Sequence, residues 1–184
     1  QKFSKNWRHN LKRSYRDQNT VKINPYPSHE EIYNMYNELY NFKKIPELYS
    51  KNRLENMFIK LNKNLISFEC RSNKNELLSF RSIIIVNNNA YDILAVSNKK
   101  GRGNYASYLL FWEIILYCKK LNLKFYDLGG VNELNNLGVY NFKKGSGAKL
   151  INNFGEWEYA PIVSIKLIIS ILIIIKNTIN KIIK

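Results

Sequence analysis

Residues 101–130 read GRGNYASYLLFWEIILYCKKLNLKFYDLGG, and this stretch decides the prediction of the fold. Two glycines open it, an apolar run at helical spacing follows, and FYDLGG closes it as a strand. The preceding residues, 90–97, also have strand composition. A strand, a glycine turn, a helix and a second strand form a crossover unit, so the two strands should lie near one another in one sheet.

The segments upstream of this unit predict the rest of the sheet. Residues 65–71, 77–86 and 90–97 are rich in β-branched and aromatic residues, and Asn-rich links separate them. This pattern predicts a meander of three antiparallel strands, with a tight turn at residues 87–89. The sequence therefore indicates a mixed α/β protein.

Further helices and strands are predicted at both ends of the chain. Ser28 followed by Glu31 is a capping-box signature for a helix that runs to about Lys44. The remaining predictions are an amphipathic helix over 4–15, a short strand over 20–24, a third helix whose first turn contains Pro46, a helix over 136–143, closing strands within 148–159, and a final helix from Pro161.

The composition indicates a folded and strongly basic chain. Its 184 residues suit one domain, and 29 Lys and Arg against 14 Asp and Glu give a formal net charge of +15. Such a surface attracts nucleic acid, phosphates or an anionic membrane. The excess is strongest over residues 1–22, where Asp17 is the single acid. This segment is either a solvated face or the contact for an anionic partner.

Cysteine and membrane patterns give two further expectations. Cys70 and Cys118 lie far apart in apolar stretches, which predicts buried thiols in a reducing cytosol. Residues 167–175, LIISILIII, are uncharged but too short for a span of about 20 apolar residues. We expect a core helix here, with the alternative of an interfacial helix whose lysines contact a membrane surface.

Two strings carry a resemblance to a known family. YASYLLFWEIILYCKKLNLKFYDLGG (105–130) and GVYNFKKGSGAKLINNFGEWEYAP (138–161) resemble the terminal pattern of the Fem-type peptidoglycan bridge aminoacyltransferases. The opening WRHNLKRSYR (7–16) is similar to that family's basic helix. The resemblance implies a GNAT-like mixed sheet flanked by helices. It also implies a two-domain enzyme, of which residues 1–184 form the second, single domain while an N-terminal domain is missing.

The resemblance implies an activity and partners. Family members transfer an amino acid from aminoacyl-tRNA to the stem-peptide amine of a peptidoglycan precursor, either lipid II or a UDP-linked muropeptide. The chain would then need no cofactor beyond its charged tRNA, and no metal. The location would be cytoplasmic, with peripheral contact to the membrane as an open option.

The family's FK motif matches Phe142 and Lys143 in this sequence. The resemblance implies that Lys143 polarises the ester carbonyl, with Lys144 as the weaker candidate. Without it, Phe142 would be a core residue and the two lysines surface charges at a helix end. The other candidate substrate contacts are Asp127, Gly129 and Gly130, which end a strand where a plain tight turn is equally plausible, and Arg8 and Lys12 on the basic helix.

Two other functions remain open. Residues 98–103, NKKGRG, are near the GNAT pyrophosphate pattern, in which Gly101, Arg102 and Gly103 would bind acyl-CoA, although Asn98 departs from it. An acyl-CoA-dependent N-acyltransferase acting on a sugar or peptide amine is therefore the alternative. A basic nucleic-acid-binding module is the third hypothesis. Glu69 or Asp92 could serve as a general base, depending on which one faces the cleft.

Overall fold

The computed structural model describes residues 2–45, 47–61, 64–134, 136–152 and 163–182. The chain divides into two compact units, Gln1–Lys149 and Leu150–Lys184. The expectation of a single domain over residues 1–184 stays a prediction.

The first unit mixes helices and strands as the sequence predicts. In chain order its elements are α1 (Lys5–Ser14), β1 (Thr20–Ile23), α2 (His29–Lys43), α3 (Lys51–Leu61), β2 (Leu65–Arg71), β3 (Leu77–Val86), β4 (Asn89–Ser97), α4 (Lys99–Gly103), α5 (Ala106–Lys120), β5 (Tyr126–Asp127) and α6 (Leu137–Gly145). The second unit contains α7 (Val163–Ile182).

Five strands of the described residues form one mixed sheet in the order β1-β2-β3-β4-β5. The first four strands are antiparallel neighbours, whereas β5 runs parallel to β4. This confirms the predicted meander and the predicted crossover through α5. The pairing of β4 with β5 is short, because only Ala90↔Tyr126 and Tyr91↔Asp127 are in register.

A β-bulge interrupts β4 beside this short pairing. Ser82 of β3 pairs with Leu94 and the next residue, Ile83, pairs with Asp92, so Ile93 is the extra residue. A bulge bends its strand and breaks the strict alternation of side chains between the two faces. The direction of the Asp92 side chain therefore could not be deduced from alternation in the sequence.

Two clusters of buried side chains hold the helices on the sheet. In the first, residues of α2 and α3 such as Ile32 and Leu54 pack with Phe80 of β3. In the second, residues of α5 such as Leu110 and Ile114 pack with Phe68 of β2. Burying one such side chain contributes roughly 1.5–3 kcal/mol, so these contacts are the main support of the layered architecture.

Two predictions near the sheet are wrong. Residues 101–103, predicted as a glycine turn, belong to helix α4. Asn98 caps this helix, and its side chain accepts a 2.7 Å hydrogen bond from the Gly101 N–H. The third helix begins at Lys51, after Ser50, whose Oγ accepts from the Arg53 N–H at 3.3 Å. Pro46, where this helix was expected to begin, lies outside the described residues.

Fewer residues are described in the C-terminal part of the chain, where closing strands and a final helix are predicted. Residues 148–152 form no strand, and both 153–159 and the expected helix start at Pro161 lie outside the described residues. Large apolar residues at 167, 168 and 171–175 are exposed, and the expectation of a core helix stays a prediction. Apolar side chains surround that helix on all sides, and one packing surface cannot cover them all. Among the described residues, no helix has the length and apolar character needed to cross a membrane.

Candidate functional site

Lys143 lies on α6, and its ammonium points back to the loop that follows β5. Nζ donates to the carbonyl oxygens of Gly129 and Gly130 at 3.3 and 2.9 Å. The side chain is half-buried, whereas the two glycines are exposed. An ammonium has three N–H donors, so this geometry uses two and leaves one for another oxygen.

Asp127 fixes the loop that receives Lys143. Its Oδ1 accepts a 2.7 Å hydrogen bond from the Gly129 N–H, an interaction that orders a turn two residues ahead. Gly129 has φ +71°, a left-handed conformation that glycine adopts without steric cost. Of the two alternatives for Asp127, the tight turn is therefore the one that a described contact supports. Through that turn, Asp127 presents the two carbonyls to the ammonium.

Phe142 anchors α6 in an aromatic cluster. Its ring lies 4.9 Å from that of Tyr108, 5.3 Å from Phe111 and 5.9 Å from Trp7, measured between centroids. Offset and edge-to-face aromatic pairs of this kind stabilise a packed interior. Phe142 therefore holds the neighbouring Lys143 in place through packing.

The end of α6 is closed by the start of α1. The Ser4 N–H donates to the Gly145 carbonyl at 2.9 Å, and a Cβ at Gly145 would lie 3.2 Å from Cδ1 of Trp7. The absence of a side chain at Gly145 therefore permits this close approach. α1 and α6 are locked together beside the Lys143 site.

Behind the site, three polar side chains from adjacent strands form a buried cluster. Asp92 accepts from Arg81 Nη1 at 3.1 Å on one carboxylate oxygen and from the Tyr126 hydroxyl at 2.8 Å on the other. Arg81 and Asp92 side chains are each 9% exposed. The Arg81 guanidinium also lies 5.2 Å from the Phe111 ring centroid and 5.6 Å from that of Phe142. The cluster thus joins β3, β4 and β5 beneath the aromatic residues.

This cluster and the site influence one another electrostatically. Burial lowers the pKa of Lys143, and the Arg81 charge lowers it further, while the carboxylates of Asp92 and Asp127 offset part of the shift. Burial also raises the pKa of Asp92, against the opposing effects of Arg81, Tyr126 and Lys143. A lysine with a lowered pKa is more easily deprotonated than an exposed one.

Glu69, the other candidate base, belongs to a different network. It is fully buried and accepts from Arg71 Nε at 2.7 Å and from the Asn24 amide at 2.8 Å. Arg71 continues to Glu31, with a 2.7 Å contact between Nη2 and Oε2. This network ties α2 and β1 to β2, and none of its described contacts includes Lys143.

The remaining predicted contacts lie outside the Lys143 cluster. Lys144 is exposed, with its Nζ 5.3 Å from the Tyr140 ring centroid. Arg8 and Lys12 are exposed on one side of α1, next to Lys5 and His9. Trp7 is buried, whereas Tyr15 is exposed. The basic surface of α1 is therefore available to an anionic partner.

In the segment expected to bind acyl-CoA, Gly101 and Arg102 already make contacts with other residues of the chain. Arg102 bonds the Ser97 carbonyl at 2.6 Å and pairs with Glu38 at 2.9 Å. A Cβ at Gly101 would lie 2.0 Å from the Leu78 carbonyl oxygen, whereas a Cβ at Gly103 would meet no atom within 4 Å. Gly101 thus has a packing reason to be glycine. Within the described part of the chain, no group of three His, Cys, Asp or Glu side chains could hold a metal ion.

The sequence model of the FemAB family matches residues 43–166, a range that includes the sheet from β2 onward, α5 and the Lys143 loop. The chain belongs to the FemAB family. A search of curated protein sequences gave no significant match.

Solved structures show that this FemAB chain has the GNAT fold. The crystal structure of FemX superposes with a TM-score of 0.67 at 12% identity, over 79% of this chain and 54% of FemX. A GNAT-family acetyltransferase from Staphylococcus aureus Mu50 gives 0.56 at 18% identity, over 76% and 95%. An aminoglycoside antibiotic 6′-N-acetyltransferase from Acinetobacter baumannii gives 0.54 at 8%, over 77% and 98%. The expected GNAT-like fold is confirmed, and family and fold together support a Fem-type acyltransferase.

Sequence reasoning on this FemAB chain missed Arg81 and Tyr126. One signal was available for Arg81, since LLSFRSIIIV places a single charge within a strongly apolar strand. A buried arginine requires a partner, so that position indicates an ion pair in the core. Tyr126 gives no such signal, because a tyrosine in a strand is ordinary.

Proposed function

We propose that this FemAB chain is the acyl-transferring domain of an enzyme that moves an amino acid from aminoacyl-tRNA to the stem-peptide amine of a peptidoglycan precursor. The observation that carries the proposal is the Lys143 ammonium, held by the Gly129 and Gly130 carbonyls with one N–H left over. Family membership supports the class of transferase. The donor, the acceptor and the role of the lysine belong to the proposal.

Lys143 would act on the carbonyl oxygen of the aminoacyl ester. The acceptor amine attacks the ester carbon, a C–N bond forms, and the carbonyl oxygen gains negative charge. The remaining Lys143 N–H donates to that oxygen and stabilises the charge, as a preorganised oxyanion donor does. The C–O ester bond then breaks, the tRNA ribose hydroxyl takes up a proton, and the amine nitrogen loses one. The products are an amide and uncharged tRNA.

The basic surface supports the choice of partners. Arg8 and Lys12 on α1 would contact phosphates of the tRNA or the diphosphate of the precursor. A further, N-terminal domain would supply the rest of the precursor-binding surface. The reaction would take place in the cytoplasm, where charged tRNA is found. The exposed apolar residues of α7 would provide peripheral contact with the membrane.

Removing Lys143 tests the mechanism. In the complete enzyme that contains this chain, Lys143→Ala should reduce amino acid transfer from charged tRNA by about 10²-fold, the effect of one lost oxyanion donor. Lys119→Ala, at an exposed lysine in the last turn of α5, is the matched control and should retain full turnover. Normal transfer by Lys143→Ala would rule out this role.

An acyl-CoA-dependent N-acyltransferase is the second candidate. Its support is that the chain alone covers 95% and 98% of two acetyltransferases with the same fold. Against it, Arg102 and the Gly101 N–H already have partners within the chain. Thermal unfolding with acetyl-CoA or with charged tRNA separates the two, because a ligand that binds the folded state raises the melting temperature. An increase with acetyl-CoA alone would favour the second candidate, and tRNA binding without transfer would favour a nucleic-acid-binding module.

A further inference from the structure

We propose that Arg81, Asp92 and Tyr126 form a clamp that positions Lys143, with Asp92 as its central positioning residue. The clamp holds the end of β5, and the loop after β5 holds the ammonium. This inference rests on the proposed function of Lys143 and adds three residues to it, none of which needs to touch the substrate.

The clamp extends a short backbone pairing between β5 and β4. β5 has two residues, and its pairing with β4 is limited to Ala90↔Tyr126 and Tyr91↔Asp127. The Tyr126 side chain extends this connection, because its hydroxyl bonds Asp92 at 2.8 Å and its ring stacks on Phe111 at 5.8 Å. Asp92 in turn bonds Arg81 of β3. Side chains thereby extend the connection of β5 to β4 and β3 beyond the two residues that pair through the backbone.

The position of β5 reaches Lys143 through consecutive residues. Tyr126 is followed by Asp127, whose carboxylate holds the Gly129 N–H at 2.7 Å. The Gly129 and Gly130 carbonyls then hold Nζ of Lys143. A displacement of Tyr126 would therefore move both acceptors of the ammonium and change the direction of its free N–H.

Charge gives Asp92 a second effect on Lys143. The charged groups that act on this lysine are Arg81 from β3, Asp92 from β4 and Asp127 from β5. Together with Lys143 they comprise two cations and two carboxylates. Neutralising Asp92 leaves Arg81 and Lys143 opposed by Asp127 alone, and this arrangement favours loss of the Lys143 proton. A neutral amine is a poorer donor to an oxyanion.

Stability alone is a weak reason for such a buried ion pair. Desolvating two charges costs about as much as their attraction returns, and apolar residues of similar volume often serve as well. The pair bonds Tyr126, the residue before Asp127, and its guanidinium lies 5.6 Å from the Phe142 ring centroid, and these contacts give it a functional reason. The Glu69–Arg71 pair on β2 provides a comparison, because it is equally buried and lies in a separate network.

The test measures Lys143 directly, without substrate. The pH dependence of its reaction with an isotope-labelled acetylating reagent, followed by mass spectrometry, reports its titration in the complete enzyme. Asp92→Asn should move this titration to lower pH by about 1 unit. Tyr126→Phe should reduce kcat about tenfold, the effect of one lost hydrogen bond, with KM within about twofold. Glu69→Gln should change neither the titration nor kcat, although it also disturbs a buried ion pair.

Each outcome separates the clamp from the function on which it rests. If Asp92→Asn and Tyr126→Phe titrate and turn over like the unaltered enzyme while Lys143→Ala is inactive, the clamp is wrong and the function stands. If Lys143→Ala transfers the amino acid at the full rate, the proposed role of Lys143 is wrong, and the titration still decides whether the clamp acts on Lys143. Should Asp92→Asn not fold, Tyr126→Phe decides alone, and unchanged Lys143 labelling together with unchanged kcat overturns the clamp.

Discussion

Nζ of Lys143 lies 2.9 Å from the carbonyl oxygen of Gly130, thirteen positions earlier in the chain. A lysine in the last turn of a helix usually extends into water, where it complements the helix dipole. Here the side chain turns toward the end of the sheet and becomes half-buried. Its protonation and its direction are therefore set by the sheet, and this relationship leads to the first prediction.

Transfer activity should fall at alkaline pH as Lys143 loses its proton. Burial and the Arg81 charge lower the pKa of Lys143 below its ordinary value of 10.5, so the midpoint of this fall should lie below that value. The cation is present below its pKa and is lost as the pH rises through it. The pH profile of kcat/KM measures the midpoint. The residual activity of Lys143→Ala should lack this alkaline decline, and a decline of the same midpoint in that variant would contradict the assignment.

Gly101→Ala should destabilise the fold, and Gly103→Ala should not. The added Cβ at 101 would lie 2.0 Å from the Leu78 carbonyl oxygen, a backbone atom that cannot move away at small cost. We expect a loss of about 2 kcal/mol or more in the free energy of unfolding. At 103 the Cβ meets open space, and alanine favours the helix by up to about 1 kcal/mol. Urea unfolding monitored by circular dichroism compares the pair, and equal effects would show that α4 does not pack as described.

Stability should decrease above pH 9 because both cysteines are buried. Burial raises the pKa of Cys70 to about 12 and that of Cys118 to about 11, from an ordinary 9.0. Above pH 9 the unfolded chain releases thiol protons that the folded chain retains, so the folded state loses stability as the pH rises. Between pH 9 and 10 the loss should be about 1 kcal/mol per thiol. Urea unfolding at these two pH values, with reductant present, measures it.

The matched variant for this prediction is Cys70→Ala combined with Cys118→Ala. It should be less stable at pH 8 because of the cavities it creates, and it should show a flatter dependence between pH 9 and 10. An unchanged slope would mean that other buried groups, such as the Tyr36 hydroxyl, whose pKa burial also raises, cause the loss.

Local signals predicted the elements near β2 to β4 with accurate boundaries. The predicted strands 65–71 and 77–86 match β2 and β3 at both ends, because composition and turn residues act over a few positions. The Ser28 side chain accepts from the Glu31 N–H at 3.3 Å, as the capping-box pattern indicated. The expectation that both cysteines are buried is also confirmed.

The site was only partly predictable. Lys143 was predicted from the resemblance of the residues around it to a known family. Arg81, Asp92 and Tyr126, in contrast, come together only through the pairing of three strands. The bulge at Ile93 alters the alternation of β4, so no local pattern shows where Asp92 points. Similarly, the glycines at 101 and 103 suggested a turn, although the capping chemistry of Asn98 was a readable signal for helix α4.

The contact between Ser4 and Gly145 has a consequence for biosynthesis. The ribosome synthesises Ser4 long before Gly145. This hydrogen bond can therefore form only after most of the first unit has left the ribosome. Contacts so distant in the chain slow folding, because the intervening segment must lose much of its freedom first. During that interval the buried face of Trp7 lacks the Phe142 ring, and a nascent chain stalled before residue 142 would be a natural target for chaperones.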